Sequence, residues 1–201
     1  VPHRNQPPLY LASTSVYRQS LLSKLTSNFS AIRPDTDETA LPGEAAAALV
    51  QRLAEAKARA VASKLTTGLV IGSDQVAVFN NEIIGKPHTV AKAEAQLSAF
   101  SGQAVTFLTG LSLLNAATGN TQTLVEPFTV HFRELTQAEI SAYIAREQPL
   151  DCAGSFKSEG LGISLFSKLE GEDPNSLIGM PLIKLLQLLR NEGVNLLLDH
   201  H

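Results

Sequence analysis

The side chains able to do chemistry in this sequence lie far apart along the chain. Asp74 interrupts the apolar run Leu69-Val70-Ile71-Gly72-Ser73-Asp74-Gln75-Val76-Ala77-Val78-Phe79. A carboxylate inside a sheet is costly unless it is paired or hydrogen-bonded. Asp74 therefore reads either as a structural acid capping a turn through Gly72-Ser73, or as a catalytic or metal-binding group presented at a strand break. Near the start, Ser13-Thr14-Ser15 precedes a helix with Arg18 in its first turn. Hydroxyls at such a place are helix caps. They also bring free amides, the positive end of the helix dipole and a guanidinium to one point, as a phosphate requires. A cation there is unfavourable for the helix alone, a mismatch that favours the phosphate. Asp35-Thr36-Asp37-Glu38 is either a solvated acidic loop or an oxygen-donor set for Mg²⁺ or Mn²⁺.

Those residues need elements to hold them. Leu9-Tyr10-Leu11-Ala12 reads as a short strand leading into a helix through about Leu25, with Tyr17, Leu21, Leu22 and Leu25 on its apolar face. Pro42-Gly43 opens a long helix, about 44–65, whose buried stripe is Leu49, Leu53, Ala56 and Ala60. Lys57 sits on the shoulder of that stripe, placed to snorkel into water or to reach a phosphate at the end of the Asp74 strand. Asn80-Asn81 makes a hairpin to Glu82-Ile83-Ile84, after which Pro87 holds Lys86 in a stiff turn. Thr89 caps a helix through Phe100, stopped at Gly102. Ala104–Leu114 and Thr121–Phe132 form an antiparallel ribbon. Thr136 and Glu139 make a capping box for a helix that turns Ile140, Tyr143 and Ile144 inward. Glycines 154, 160 and 162 let a backbone approach a flat ligand between Cys152 and Gly162. Residues 170–175 form an acidic turn. A last helix follows Gly179-Met180-Pro181, with Leu182, Leu185, Leu186 and Leu189 on one face and Gly193 beyond its end.

The totals exclude several classes. The length fits one domain, or two lobes sharing a core, with residues 1–8 as a flexible leader and 9–198 as the domain. A net charge of -3 without a basic run gives no footprint for long nucleic acid. One cysteine, Cys152, forms no disulfide framework and fits a reducing cytoplasm. No apolar run reaches spanning length, so no membrane is expected. The five histidines have no zinc spacing, which leaves a hard cation held by oxygens as the metal to expect.

Taken together, the motifs resemble the Maf family of nucleoside triphosphate pyrophosphatases. The matching pieces are Leu11-Ala12-Ser13-Thr14-Ser15-Val16-Tyr17-Arg18, Asp37-Glu38, Glu55 with Lys57, Gly72-Ser73-Asp74-Gln75-Val76 and Gly85-Lys86-Pro87. Thr109-Gly110, Ala153-Gly154-Ser155-Phe156 and Gly179-Met180-Pro181-Leu182 complete the series in the family's order. Tyr17 and the Phe156-Lys157-Ser158-Glu159-Gly160 run are most similar to the 7-methyl-GTP branch. The resemblance implies an α/β fold with a mixed, partly antiparallel twisted sheet flanked by helices, and two lobes around a deep cleft. It implies hydrolysis of a nucleoside triphosphate to monophosphate and pyrophosphate with Mg²⁺ or Mn²⁺, by a homodimer. Asp74 falls on the general-base position, Ser13, Arg18, Lys57 and Lys86 on phosphate-binding ones, and Glu38 on the metal-associated one; direct metal ligation is the alternative role for Asp74. Tyr17, Gln75 and Glu159 fall where the family selects substrate. Val16 replaces the usual proline, and Gln19 stands where many members have a second arginine, implying a phosphate site weaker or arranged differently.

The chemistry agrees with those positions. A triphosphate brings about four negative charges, met by Arg18, Lys57, Lys86 and a metal from separate segments. An ionised Glu159 offers two acceptors to the adjacent N–H donors of guanine, whereas a glutamine suits uracil or thymine. N7-methylation makes guanine cationic, and an aromatic such as Tyr17 then adds a cation–π attraction of about 0.5–2 kcal/mol. The competing expectations are a dTTP/UTP pyrophosphatase of the same family, against which Glu159 argues, and a nucleotide-binding cell-division regulator with little turnover.

Overall fold

In a computed structural model, residues 6–198 are described. Val1–Asn5 of the expected leader lie outside them, while the carbonyl of Pro8 accepts a 2.8 Å bond from the Leu69 amide. The elements run β1 (Leu9–Leu11), α1 (Val16–Ser23), β2 (Ser30–Ala31), α2 (Ala46–Ala62), β3 (Leu69–Phe79), β4 (Glu82–Ile84), α3 (Val90–Phe100), β5 (Ala104–Asn115) and β6 (Thr121–Phe132). They continue with α4 (Gln137–Glu147), a 3₁₀ turn (Leu161–Leu165), β7 (Phe166–Glu170), α5 (Pro174–Ile178) and α6 (Leu182–Asn191). The sheet order is β2-β1-β3-β5-β6-β7, with β4 paired to β3. β1 runs parallel to both β2 and β3, while the β3–β4 and β6–β7 pairs are antiparallel. This is the mixed α/β sheet that the sequence implies.

The chain forms two compact units. The first holds the chain up to Asp74, Thr109–Glu126 and the chain from Gly179; the second holds Gln75–Leu108 and Pro127–Ile178. Three strands, β3, β5 and β6, pass from one unit into the other.

In the first unit the continuous apolar character of β1 and of Leu69–Ile71 is that of strands covered on both faces. Leu11, Val70 and Ile71 have no exposure. Helix α2 lies so close to the strands that a Cβ on Gly72 would stand 2.0 Å from the carbonyl oxygen of Ala54, and one on Gly110 would stand 2.1 Å from that of Val50. Gly72 is therefore required by helix packing within an unbroken strand, and the expected turn or strand break at Gly72-Ser73 does not form. The same contact turns α2. Its buried residues include Val50, Ala54 and Ala58, one turn apart, while Ala56 and Ala60 of the expected stripe are only half-buried. Lys57 moves with them from the shoulder into the buried face.

The second unit is built around phenylalanines. Phe132 touches Phe100, Phe156 and Phe166 at ring-centroid distances of 5.4–5.5 Å, and Phe107 stacks edge-on against Phe156. Residues from α3, α4, β5 and β6 close the core around them. Local signals act as read. Thr89 caps α3, and Thr136 with Glu139 forms the reciprocal capping box of α4. The ribbon register is marked by the hydroxyl pairs Thr106–Thr129 and Ser112–Thr123, each 2.9 Å. The acidic stretch 170–175 is divided instead, Glu170 ending β7 and Pro174 starting α5. On α6, Leu188 rather than Leu186 completes the buried face.

Candidate functional site

The polar residues of the first unit converge on Lys57. Its buried position on α2 follows from the glycine-floored packing, and an ammonium held there needs partners. It has two: Glu38 Oε1 at 2.6 Å and Asp74 Oδ1 at 2.9 Å. The Lys57 and Asp74 side chains are 8% and 14% exposed, whereas that of Glu38 is 60% exposed. The ammonium therefore joins an inner acid on β3 to an outer one on the loop before α2.

Arg18 approaches the same acids. Burial holds its guanidinium below the usual arginine range, and the carboxylates of Asp74 and Glu38 oppose that shift. Its Nε donates to the Gly179 carbonyl at 3.0 Å. Ser73, fully buried beside Asp74 in sequence, has the same carbonyl within reach of its hydroxyl at 3.1 Å, and that of Gly110 at 2.9 Å. Gly179 takes φ +148°, a conformation that side chains rarely adopt, and a Cβ there would lie 3.5 Å from the Arg18 Cγ. One carbonyl thus orients both the arginine and the strand from which Asp74 projects. Neither Ser73 nor Gly179 was singled out for this from the residues; glycine–serine pairs beside an acid are the signal that carries it.

The hydroxyls around α1 form a small relay. The Ser13 Oγ accepts the Ser15 amide at 3.0 Å, and the Ser15 Oγ accepts the Arg18 amide at 3.4 Å. Ser13 is buried, and as an acceptor in this turn it keeps its own proton to donate. Tyr17 is half-buried on the same helix.

Three expected residues belong to the second unit. Gln75 turns its amide nitrogen onto the carbonyls of Ser176, at 2.7 Å, and Leu177, at 3.4 Å. Lys86 and Glu159 are exposed. The segment carrying Glu159 is tied to α4. The Lys157 amide donates to the Tyr143 hydroxyl at 2.8 Å, and the Leu161 amide donates to the Glu147 carboxylate at 3.4 Å. Burial pushes the Tyr143 phenol up from its ordinary pKa. The structure thus brings Glu38, Lys57, Asp74 and Arg18 into one cluster within the first unit.

Among the described residues, no group of three or more His, Cys, Asp or Glu is arranged to hold a metal. Two carboxylates, Glu38 and Asp74, aim oxygens at one positively charged point, the Lys57 ammonium. That donor set fits the share a hard cation takes from protein when phosphate oxygens and water complete its shell. Among the described residues, no helix is long and apolar enough to cross a membrane.

Comparison with known proteins converges on one family. The profile described as "Maf-like protein" matches residues 8–192. A protein of Pseudoalteromonas translucida (strain TAC 125) named 7-methyl-GTP pyrophosphatase is 59% identical over 190 residues, 94% of this chain and 94% of its own. Proteins of the same name from Vibrio cholerae serotype O1 and Pseudomonas fluorescens (strain Pf0-1) are 58% and 57% identical over 189 residues. Each alignment covers 94% of this chain, with 97% and 98% of the respective relative. Among solved structures, the Staphylococcus aureus Ham1 protein superposes with a TM-score of 0.51. It covers 92% of this chain and 99% of that one at 16% identity, a likeness of fold.

Proposed function

We propose, for a chain that belongs to the Maf family, that it hydrolyses 7-methyl-GTP to the monophosphate and pyrophosphate. The observation that carries this reading is the Lys57 ammonium, buried and bonded at once to Glu38 and Asp74, with Arg18 in the field of both acids. Two cations and two carboxylates nearly cancel, so a bound triphosphate, with its charge of about minus four, calls for a divalent cation as well.

In this mechanism Arg18 and Lys57 bind phosphate oxygens, with Ser13 donating its hydroxyl and Lys86 supplying a further positive charge. Asp74 accepts the proton of the water that attacks the α-phosphorus. The bond from that phosphorus to the bridging oxygen breaks, and pyrophosphate leaves. Lys57 is already within bonding distance of Asp74, so it holds that carboxylate oriented until the water arrives. Glu38 and Asp74 are the residues that would hold Mg²⁺ or Mn²⁺, which when bound supplies charge neutralisation at the phosphates. Glu159 reads the guanine edge, Tyr17 lies against the cationic ring, and Gln75, tied to α5, supports the same selection. The proposal extends to a homodimer in the cytoplasm, as the resemblance to the family implies.

Incubation with 7-methyl-GTP, GTP, UTP and dTTP, each with Mg²⁺ or Mn²⁺, tests the reading. Pyrophosphate should be released fastest from 7-methyl-GTP. Release from none of the four would remove the enzyme reading, and a preference for UTP or dTTP would remove the guanine assignment. Asp74→Asn should lower turnover at least tenfold, within the roughly 10²–10⁴-fold that a positioned base contributes, while thermal unfolding stays near that of the parent. Wild-type turnover in that variant would rule out Asp74 as the base.

A further inference from the structure

The loop between β2 and α2, residues 32–45, contains neither helix nor strand and is largely exposed. It nonetheless delivers Glu38 to Lys57 at 2.6 Å. Ordering an irregular loop opposes an exposed ion pair formed from it, so attachments of the loop itself bear on where Glu38 sits. A second attachment lies one residue further on. The Arg52 guanidinium of α2 meets Glu44 with two parallel bonds, Nε to Oε2 at 2.7 Å and NH2 to Oε1 at 2.8 Å, and NH2 also donates to the Thr39 carbonyl at 3.1 Å. The loop is folded around this fork. Glu44 Oε1 accepts the Leu41 amide at 3.2 Å, the Glu44 amide donates to the Leu41 carbonyl at 3.0 Å, and Asp37 Oδ1 accepts the Thr39 amide at 2.9 Å.

We propose that Arg52 is a positioning residue, a clasp that holds the loop of Glu38 against α2 so that Glu38 keeps its place when Lys57 turns to substrate. This rests on the reading of Lys57 and Glu38 given above. The two attachments differ in kind. The Glu38–Lys57 bond joins two groups that both have business with phosphate and its cation, so binding of substrate exchanges it. The Arg52–Glu44 fork has no such second task; its geometry is planar and bidentate, which an ammonium cannot reproduce. Glu44, with its side chain 8% exposed, is shielded by the fork. The guanidinium beside it pulls its carboxyl down to about 2. Glu38 thus has a tether that outlasts its bond to Lys57.

The test uses the full chain with Arg52→Met and Arg52→Lys, read by hydrogen exchange and by Mg²⁺ titration of pyrophosphate release from 7-methyl-GTP. Arg52→Met should speed exchange across residues 37–44 at least tenfold while β3 keeps its protection. It should also raise the Mg²⁺ concentration for half-maximal rate at least fivefold. Arg52→Lys, which keeps the charge and loses the fork, should recover only part of both effects. If Arg52→Met fails to fold, Glu44→Ala removes the same fork from the loop side and takes its place. A loop as protected as the parent's, or a loosened loop with unchanged Mg²⁺ dependence, overturns the proposal. If the parent releases no pyrophosphate, the functional reading fails by itself, and unchanged exchange in the variant still overturns the clasp.

Discussion

In the first unit the tightest packing sets backbone against backbone; in the second it sets ring against ring. At Gly72 and Gly110 the strands meet the carbonyls of Ala54 and Val50 with no room for a methyl group. Around Phe132 the space is filled by large side chains meeting mostly edge to face. Of the eight phenylalanines in the chain, Phe29 alone lies in the first unit's segments. The difference has a functional sense. A helix laid directly on strands fixes Lys57 to backbone, where a cluster of charges needs its geometry held. An aromatic core buries area without itself fixing a polar group, and it stabilises a unit whose expected base-reading Glu159 is exposed.

The contrast predicts opposite sensitivities. Phe132→Ala removes a ring in contact with three others, and it should cost about 3–5 kcal/mol, read as a lower urea midpoint. A loss below about 1 kcal/mol would mean that the cluster collapses into the gap and the second unit is not specified by its rings. In the first unit, adding atoms should do the harm. Gly72→Ala forces α2 away from β3 and should cost about 1–3 kcal/mol, as overpacking does. It should also slow pyrophosphate release per folded molecule, because Lys57 moves with the helix. Normal stability and turnover in Gly72→Ala would show that α2 can slide without disturbing the charge cluster, and the contrast between the units would fail.

Element types were largely legible in the sequence because they rest on local signals: the capping box at Thr136–Glu139, the cap at Thr89 and the two long strand-forming runs that become β5 and β6. Two misreadings share one cause. A Gly-Ser-Asp run has the composition of a turn, and Lys57 had the spacing of a shoulder. Both readings treat the helix as resting on side chains, whereas α2 rests on two glycines 38 residues apart in the chain. That contact is tertiary and leaves no periodicity to read. The two-residue β2 is equally silent, since Ser30 and Ala31 are exposed and gain their strand from Tyr10 and Leu11 alone. Arg52 escaped for a different reason. A basic residue on a helix is ordinarily solvated, and only the folded loop puts Glu44 and Thr39 in front of it. Of the residues grouped by family resemblance, Arg18, Glu38, Lys57 and Asp74 lie together in the first unit, whereas Gln75, Lys86 and Glu159 belong to the second.

Each unit also carries a paired arginine and glutamate, and these two pairs sharpen the comparison by being alike. Arg52 draws the Glu44 carboxyl down to about 2, and Arg133, with the Thr136 amide, does the same for Glu139. A carboxylate whose pKa is lower folded than unfolded stabilises the fold above its unfolded value, near 4.3, and loses that contribution as pH falls toward the folded value. Glu44→Gln and Glu139→Gln should therefore lower the unfolding temperature at pH 7, and each variant should draw level with the parent as pH approaches 2. The effect is small beside that of Phe132→Ala, because both pairs lie near solvent. Equal pH dependence in the two variants would place the difference between the units in packing alone. A gap that persists at pH 2 for Glu44→Gln would mean that this carboxyl serves the loop by shape, through the Leu41 amide, more than by charge.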